Sequence, residues 1–240
     1  MRSKPRGRYL MSTLRHLADG LAVLDHPDFS MRGLQIGTRT ALVRLEDGTW
    51  LLHSPGNLSA EAIAEVRALG EVSNIVAANG MHHLFLGKAS AAFPQARVIT
   101  APSVKAKNPD LRIDEILGST LPAAFDGVLE MARLDGADPL DEHVLWHAPS
   151  RTLVTIDTLF YLPRMTGLTK FGMMLNGVGD RPCVSRLSRT AFIKDHAAAG
   201  RSVDRMLARW EVERVILAHG DVFETGGADA LREAWSFARR

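Results

Sequence analysis

The chain has 240 residues, 46% of them hydrophobic and 23% charged. This is the balance of a globular protein with one sizeable core and excludes a disordered chain. A net charge of +2 leaves no strong electrostatic case for nucleic acid as a partner. The single cysteine, Cys183, excludes an internal disulfide framework and a cysteine-based zinc site, and predicts a reducing, cytoplasmic setting.

The basic start (Arg2, Lys4, Arg6, Arg8) is not followed by the apolar segment of a secretory signal, so residues 1–20 read as an N-terminal tail and 21–240 as a single domain. No apolar run approaches the roughly 20 residues that span a bilayer, and no membrane partner is expected. Leu21–Asp25 and Thr40–Leu45 have strand composition, and Glu46-Asp47-Gly48 is a tight turn into Thr49–His53, which predicts a β-hairpin. Ser59 is placed to cap a helix running to Leu69. Val72–Ala78 reads as a buried strand broken by Asn79-Gly80, followed by a helix over 82–93 and a short strand Arg97–Thr100. Strand, helix and strand in this order indicate layered α/β architecture.

Farther on, Val128–Leu134, Glu142–His147 and Thr152–Ile156 read as strands, with Pro149-Ser150-Arg151 as the turn between the last two, and suggest a second sheet. Residues 161–182 read as irregular, with Phe171, Met173, Met174 and Leu175 suited to core packing, an apolar lid or a homodimer contact. A helical stretch from Arg186 to Trp210, with a break near Gly200, a strand Val212–Leu217 and a closing helix Ala228–Arg239 complete the chain.

No GxSxG elbow, GxxxxGK[ST] loop or HExxH helix is present. Ligand-type side chains instead follow three strands. His82-His83 comes after the first, Asp157 after the second, and His219 after the third. Sites in open α/β folds collect at the C-terminal ends of strands, and imidazole with carboxylate suits zinc, iron or manganese. Each residue alone has an ordinary structural use, such as a cap or a turn; their joint placement is what points to a metal. Asn79, His147 and Asp221 are further candidates for orienting the ligands, His147 also as an extra ligand, and His53 is a weaker candidate for the same region.

The stretches Ile75–Phe93 (IVAANGMHHLFLGKASAAF), Arg151–Phe160 (RTLVTIDTLF) and Val215–Asp221 (VILAHGD) resemble the metallo-β-lactamase-fold superfamily, in a branch with NxxHH in place of HxHxDH. The resemblance implies an α/β, four-layer αββα sandwich with a metal site at one edge. It also implies that Ala78, Gly80 and the region of Pro139 stand where the superfamily's first metal has its ligands, while His82, His83, Asp157 and His219 stand at the second. One divalent ion on these four residues is therefore expected, zinc first, with iron or manganese as alternatives. The implied activity is hydrolysis of an ester, lactone or related bond of a small-molecule substrate, with Asp157 acting on the attacking water. The rival readings are a non-enzymatic binding or assembly protein with a vestigial site, and an iron protein handling redox chemistry.

Overall fold

The computed structural model describes residues 13–239. The basic residues 2–8 lie outside them. In chain order the strands are β1 (Thr13–Ala18), β2 (Leu21–His26), β3 (Ser30–Met31), β4 (Leu34–Gln35), β5 (Thr38–Arg44), β6 (Trp50–His53), β7 (Val72–Ala77), β8 (Arg97–Thr100), β9 (Glu115–Ile116), β10 (Leu129–Arg133), β11 (His143–His147), β12 (Thr152–Val154) and β13 (Arg214–Ile216). The α-helices are α1 (Ala60–Leu69), α2 (Leu86–Ala92), α3 (Pro102–Lys107), α4 (Gly167–Leu175), α5 (His196–Arg209) and α6 (Gly227–Ala234). One sheet runs β1-β2-β5-β6-β7-β8-β9 and the other β10-β11-β12-β13.

Side-chain alternation along the strands builds four layers. Leu42, Leu52, Ile75 and Val98 face outward from the first sheet onto Ala62 and Val66 of α1, Leu86 and Ala89 of α2 and Val104 of α3. Their neighbours Val43, Leu51, Val76 and Ile99 face inward and meet Leu145, Val154 and Ile216 of the second sheet. Val144, Trp146, Leu153 and Val215 pack outward onto Ala199, Val203 and Met206 of α5 and Leu231 and Ala234 of α6. The molecule is an αββα sandwich.

Local chemistry sets the element ends. The β5–β6 turn closes through Leu45 N donating to Thr49 O, with Gly48 at φ +82° and the Asp47 carboxylate accepting from Thr49 N. Ser59 caps α1 by accepting from Ala62 N. Gly200 does not break α5. A side chain there would come within 3.0 Å of Ala238, so glycine permits close packing of the C-terminal segment.

Three expectations are corrected. Residues 13–18 are not tail but the edge strand β1, antiparallel to β2. Arg15 and His16 face solvent there, and polar edge composition disguises the strand. Residues 161–182 are not irregular throughout, because 167–175 form α4. That helix buries Met173 and leaves Leu168, Phe171, Met174 and Leu175 exposed. His147 is not near the Asp157 end of the second sheet. It pairs with Thr152 at the start of β12, and its Nδ1 lies 2.6 Å from Ser150 Oγ.

Burial lowers the His147 pKa to about 4. Its unfolded value is higher, so protonation favours the unfolded chain, and the stability it contributes is lost as pH falls from about 6.5 toward 4. We expect wild type to lose roughly 3 kcal/mol over this window through His147 alone. The slope of urea-derived stability against pH should be shallower in His147→Asn; an unchanged slope would contradict the assignment.

Candidate metal centre

Asn79, at the end of β7, organises the centre. Its Oδ1 accepts from Met81 N and His82 N, both at 2.9 Å, and this turn points His82 inward. Its Nδ2 donates to Asp157 Oδ2 at 2.8 Å and to Glu142 Oε2 at 3.3 Å. Asp157 follows β12 and His219 follows β13, so two neighbouring parallel strands deliver them side by side. Gly220 permits the chain to leave His219. Its φ is +111°, and a side chain would collide with the Tyr161 carbonyl at 1.7 Å.

Three ligand atoms converge. His82 Nε2 lies 3.2 Å from His219 Nε2 and 3.6 Å from Asp157 Oδ2, and His219 Nε2 lies 3.7 Å from Asp157 Oδ1. Among the described residues this is the one group of three or more such side chains able to hold an ion. A tetrahedral zinc about 2.0–2.1 Å from each donor spaces its ligands about 3.3 Å apart, and one atom from each of the three residues lies within 4.8 Å of the others, close enough to converge on such an ion. The far sides of the rings are fixed. His219 Nδ1 donates to the Gly37 carbonyl at 2.7 Å, which leaves the Nε2 lone pair facing the cluster, and His82 Nδ1 meets Ser54 Oγ at 2.6 Å. Ser54 takes φ +56°, a left-handed conformation uncommon for a residue with a side chain.

Electrostatics favour a neutral His219 beside an ionised Asp157. Burial lowers the His219 pKa to about 4, helped by the neighbouring His82. Burial alone would raise Asp157, but His82, His219 and Asn79 together outweigh it and hold its pKa at about 2. His219 lies between Phe160, stacked at 5.6 Å, and Phe29, at 6.0 Å. A cavity of about 30 Å³ beside His82, walled by Phe29, Pro55, Met81, Leu84 and Phe85, has room for about one water.

Glu142 is the functional residue that sequence reasoning missed. It is fully buried and accepts from Thr155 Oγ1 (2.7 Å), Ile156 N and Asp157 N (both 2.8 Å), Thr158 Oγ1 (3.0 Å) and Asn79 Nδ2. Burial, then the charge of Asp157, raises its pKa, and these donors pull it back. The signal was available: continuing the β11–β12 register, Leu145 opposite Val154 and His147 opposite Thr152, brings Glu142 opposite Asp157.

Two more expectations are corrected. His83 is not in the cluster. Adjacent residues in a helical turn diverge, and His83 turns to Asn108, whose Nδ2 lies 2.9 Å from its Nδ1. Asp221 does not orient His219, since both its oxygens are taken by Arg164. At two positions where the resemblance implies ligands of a first metal, Ala78 is buried and its carbonyl accepts from His143 N, and Gly80 N donates to Leu140 O. A Cβ on Gly80 would meet Ser103 Oγ at 2.6 Å and Lys107 Nζ at 3.1 Å, and Lys107 donates to the Gly80 carbonyl at 2.6 Å. His53 is buried with its Nε2 unpartnered among the described residues, and burial lowers its pKa to about 3.

No family model matches the chain, and no curated protein is similar to it. Solved structures are. A metallo-β-lactamase from Pontibacter korlensis superposes with a TM-score of 0.68 at 14% identity, covering 96% of this chain and 100% of that one. One from Erythrobacter litoralis gives 0.67 at 14% identity, covering 97% and 98%. The FIM-1 enzyme from Pseudomonas aeruginosa, solved in a mono-zinc form, gives 0.66 at 13% identity, covering 96% of each. These similarities establish the fold: the chain is a metallo-β-lactamase-fold protein.

Asn79→Ala should free His82 while leaving the three ligand side chains present. We expect metal affinity to fall about 10- to 100-fold, read by competition with a chelating dye. Unchanged affinity would remove Asn79 from the centre.

Proposed function

We propose that this protein is a metal-dependent hydrolase that cleaves an ester, lactone or related bond using one divalent ion held by His82, Asp157 and His219. Zinc suits this donor set best, with iron or manganese as the alternatives. The observation that carries the reading is the convergence of His82, Asp157 and His219, each offering one ligand atom within 4.8 Å of the other two, with the far nitrogen of each imidazole already engaged.

A bound ion of this kind supplies a water acidic near neutral pH and polarises a substrate oxygen. The chain's own residues do the rest. Asp157, steadied by Asn79 through Oδ2, presents a carboxylate that accepts the proton of the attacking water. Gly37 and Ser54 keep the two imidazoles oriented. Phe29, Phe85, Met81 and Leu84 exclude bulk water, and a substrate enters by displacing them.

One observation favours a second reading. The cavity beside His82 has room for a water and not for a substrate, which suits a non-enzymatic protein with a structural or vestigial metal.

Metal analysis of protein purified without chelator should give about one equivalent, and added zinc should raise the melting temperature. His82→Ala and His219→Ala should lose both effects, whereas His83→Ala should keep them. Loss of metal in His83→Ala alone would overturn the three-residue site. Generic esters, lactones, β-lactams and phosphoesters should then be screened with wild type and His82→Ala. Hydrolysis that falls at least about 100-fold in the variant supports the enzyme. Equal turnover leaves the centre without a catalytic role, and bound metal with no turnover of any substrate supports the second reading.

A further inference from the structure

A cleft of about 740 Å³ borders the metal centre. It shares Thr38 with the small cavity beside His82, and its wall includes Gly37, whose carbonyl orients His219. Neither His82 nor Asp157 lines it, so it is a separate space on the other side of the segment that holds His219.

Arg39 lines this cleft and is only 7% exposed. Its Nε donates to Asp25 at 2.6 Å and its Nη1 to the Leu217 carbonyl at 2.8 Å. Its Nη2 has no hydrogen-bond partner among the described residues, and it is not sealed from solvent. A guanidinium this deeply buried with one end open is a donor fork awaiting an acceptor. Burial lowers the Arg39 pKa even with Asp25 beside it, as expected for a cation that the protein compensates incompletely.

The carboxylates around the cleft are already engaged. Asp25 is held by Arg15 and Arg39, Asp221 by Arg164, and Glu224 by Arg214. The open valence is therefore a donor, which selects an anion over a cation. The Arg15 and Arg164 pairs are partly exposed, so an incoming anion competes with them at little cost. Besides the charged groups, Ile36, Leu162, Met165 and Val222 supply apolar wall.

We propose that this cleft binds a small amphiphilic anion, whose carboxylate or phosphate docks on the open end of Arg39 and whose apolar body lies on Ile36, Leu162 and Met165. The site stands apart from the hydrolase reading, because none of the three metal-binding side chains contributes to it.

The test is calorimetric titration of the metal-free full chain at low ionic strength with octanoate, octanamide, acetate and inorganic phosphate. Octanoate should bind saturably, octanamide at least about tenfold more weakly for want of the charge, and acetate more weakly than octanoate for want of the apolar body. The ratio of phosphate to acetate affinity assigns the head group. Arg39→Met should weaken octanoate at least about tenfold. Should that variant fail to fold, Gln35→Glu serves: Gln35 is exposed on the cleft wall, and the isosteric added charge should weaken octanoate about threefold or more, with the loss relieved by salt. Octanamide binding as tightly as octanoate, or no saturable binding of any of the three anions up to about 10 mM, would overturn the proposal.

Discussion

The fully buried carboxylate of Glu142 is the constraint on which the centre depends. A buried carboxyl group is tolerated only when its oxygens are met by hydrogen-bond partners, and Glu142 meets five donors. Those donors come from two separate segments, the Asn79 turn and the loop 155–158, so a single side chain clamps both loops at the edge of the sandwich. Asn79 then passes the restraint to Asp157 with one amide hydrogen and to His82 through its own turn. Removing the carboxylate would leave several buried donors without an acceptor at once, a loss far larger than any single hydrogen bond.

A second set of links comes from the start of β5. Gly37 holds His219, while two residues later Arg39 donates to the carbonyl of Leu217. His219 is thus held from both sides by one short segment of the other sheet. The β3–β4 hairpin just before it carries Phe29 over His219 and packs Leu34 against α4, where a side chain on Gly172 would come within 2.8 Å of Leu34. The cover over the centre and α4 consequently behave as one small packed unit, with its own core of Ile36, Phe160, Leu162, Met173 and Val178.

Much of this architecture is legible in the sequence. The alternating apolar runs, the Asp47-Gly48 turn and the Ser59 cap give the first sheet and its helix, because periodicity and capping are local properties. His82, Asp157 and His219 are legible as residues that follow strands. The His82-His83 pair is where a linear reading fails. Two adjacent imidazoles look equivalent in a string of letters, but a turn capped by Asn79 aims one inward and leaves the other to Asn108. Glu142 is hidden for the opposite reason, since its meaning lies in a cross-strand register and not in its neighbours. The edge strand β1, the two-residue strands β3 and β4 and the glycine-flanked α4 escape because each is too short or too polar to carry a strong period of its own.

Around Ala78 and Gly80 the packing is tight. Helix α3 approaches Gly80 so closely that Ser103 and Lys107 occupy the volume a side chain there would need. Lys107 places an ammonium against the Gly80 carbonyl, and Asp141 accepts from Ser103 N while Arg133 pairs with its other oxygen. A fixed positive charge and a satisfied carboxylate thus stand beside the Gly80 loop. A side chain at position 80 would require the Ser103 hydroxyl and the Lys107 ammonium to move aside, at the cost of the Lys107 contact with the Gly80 carbonyl. The same helix that packs on Gly80 ends at Asn108, which holds His83, so the loop carrying His82 is braced by α3 on both sides of that residue.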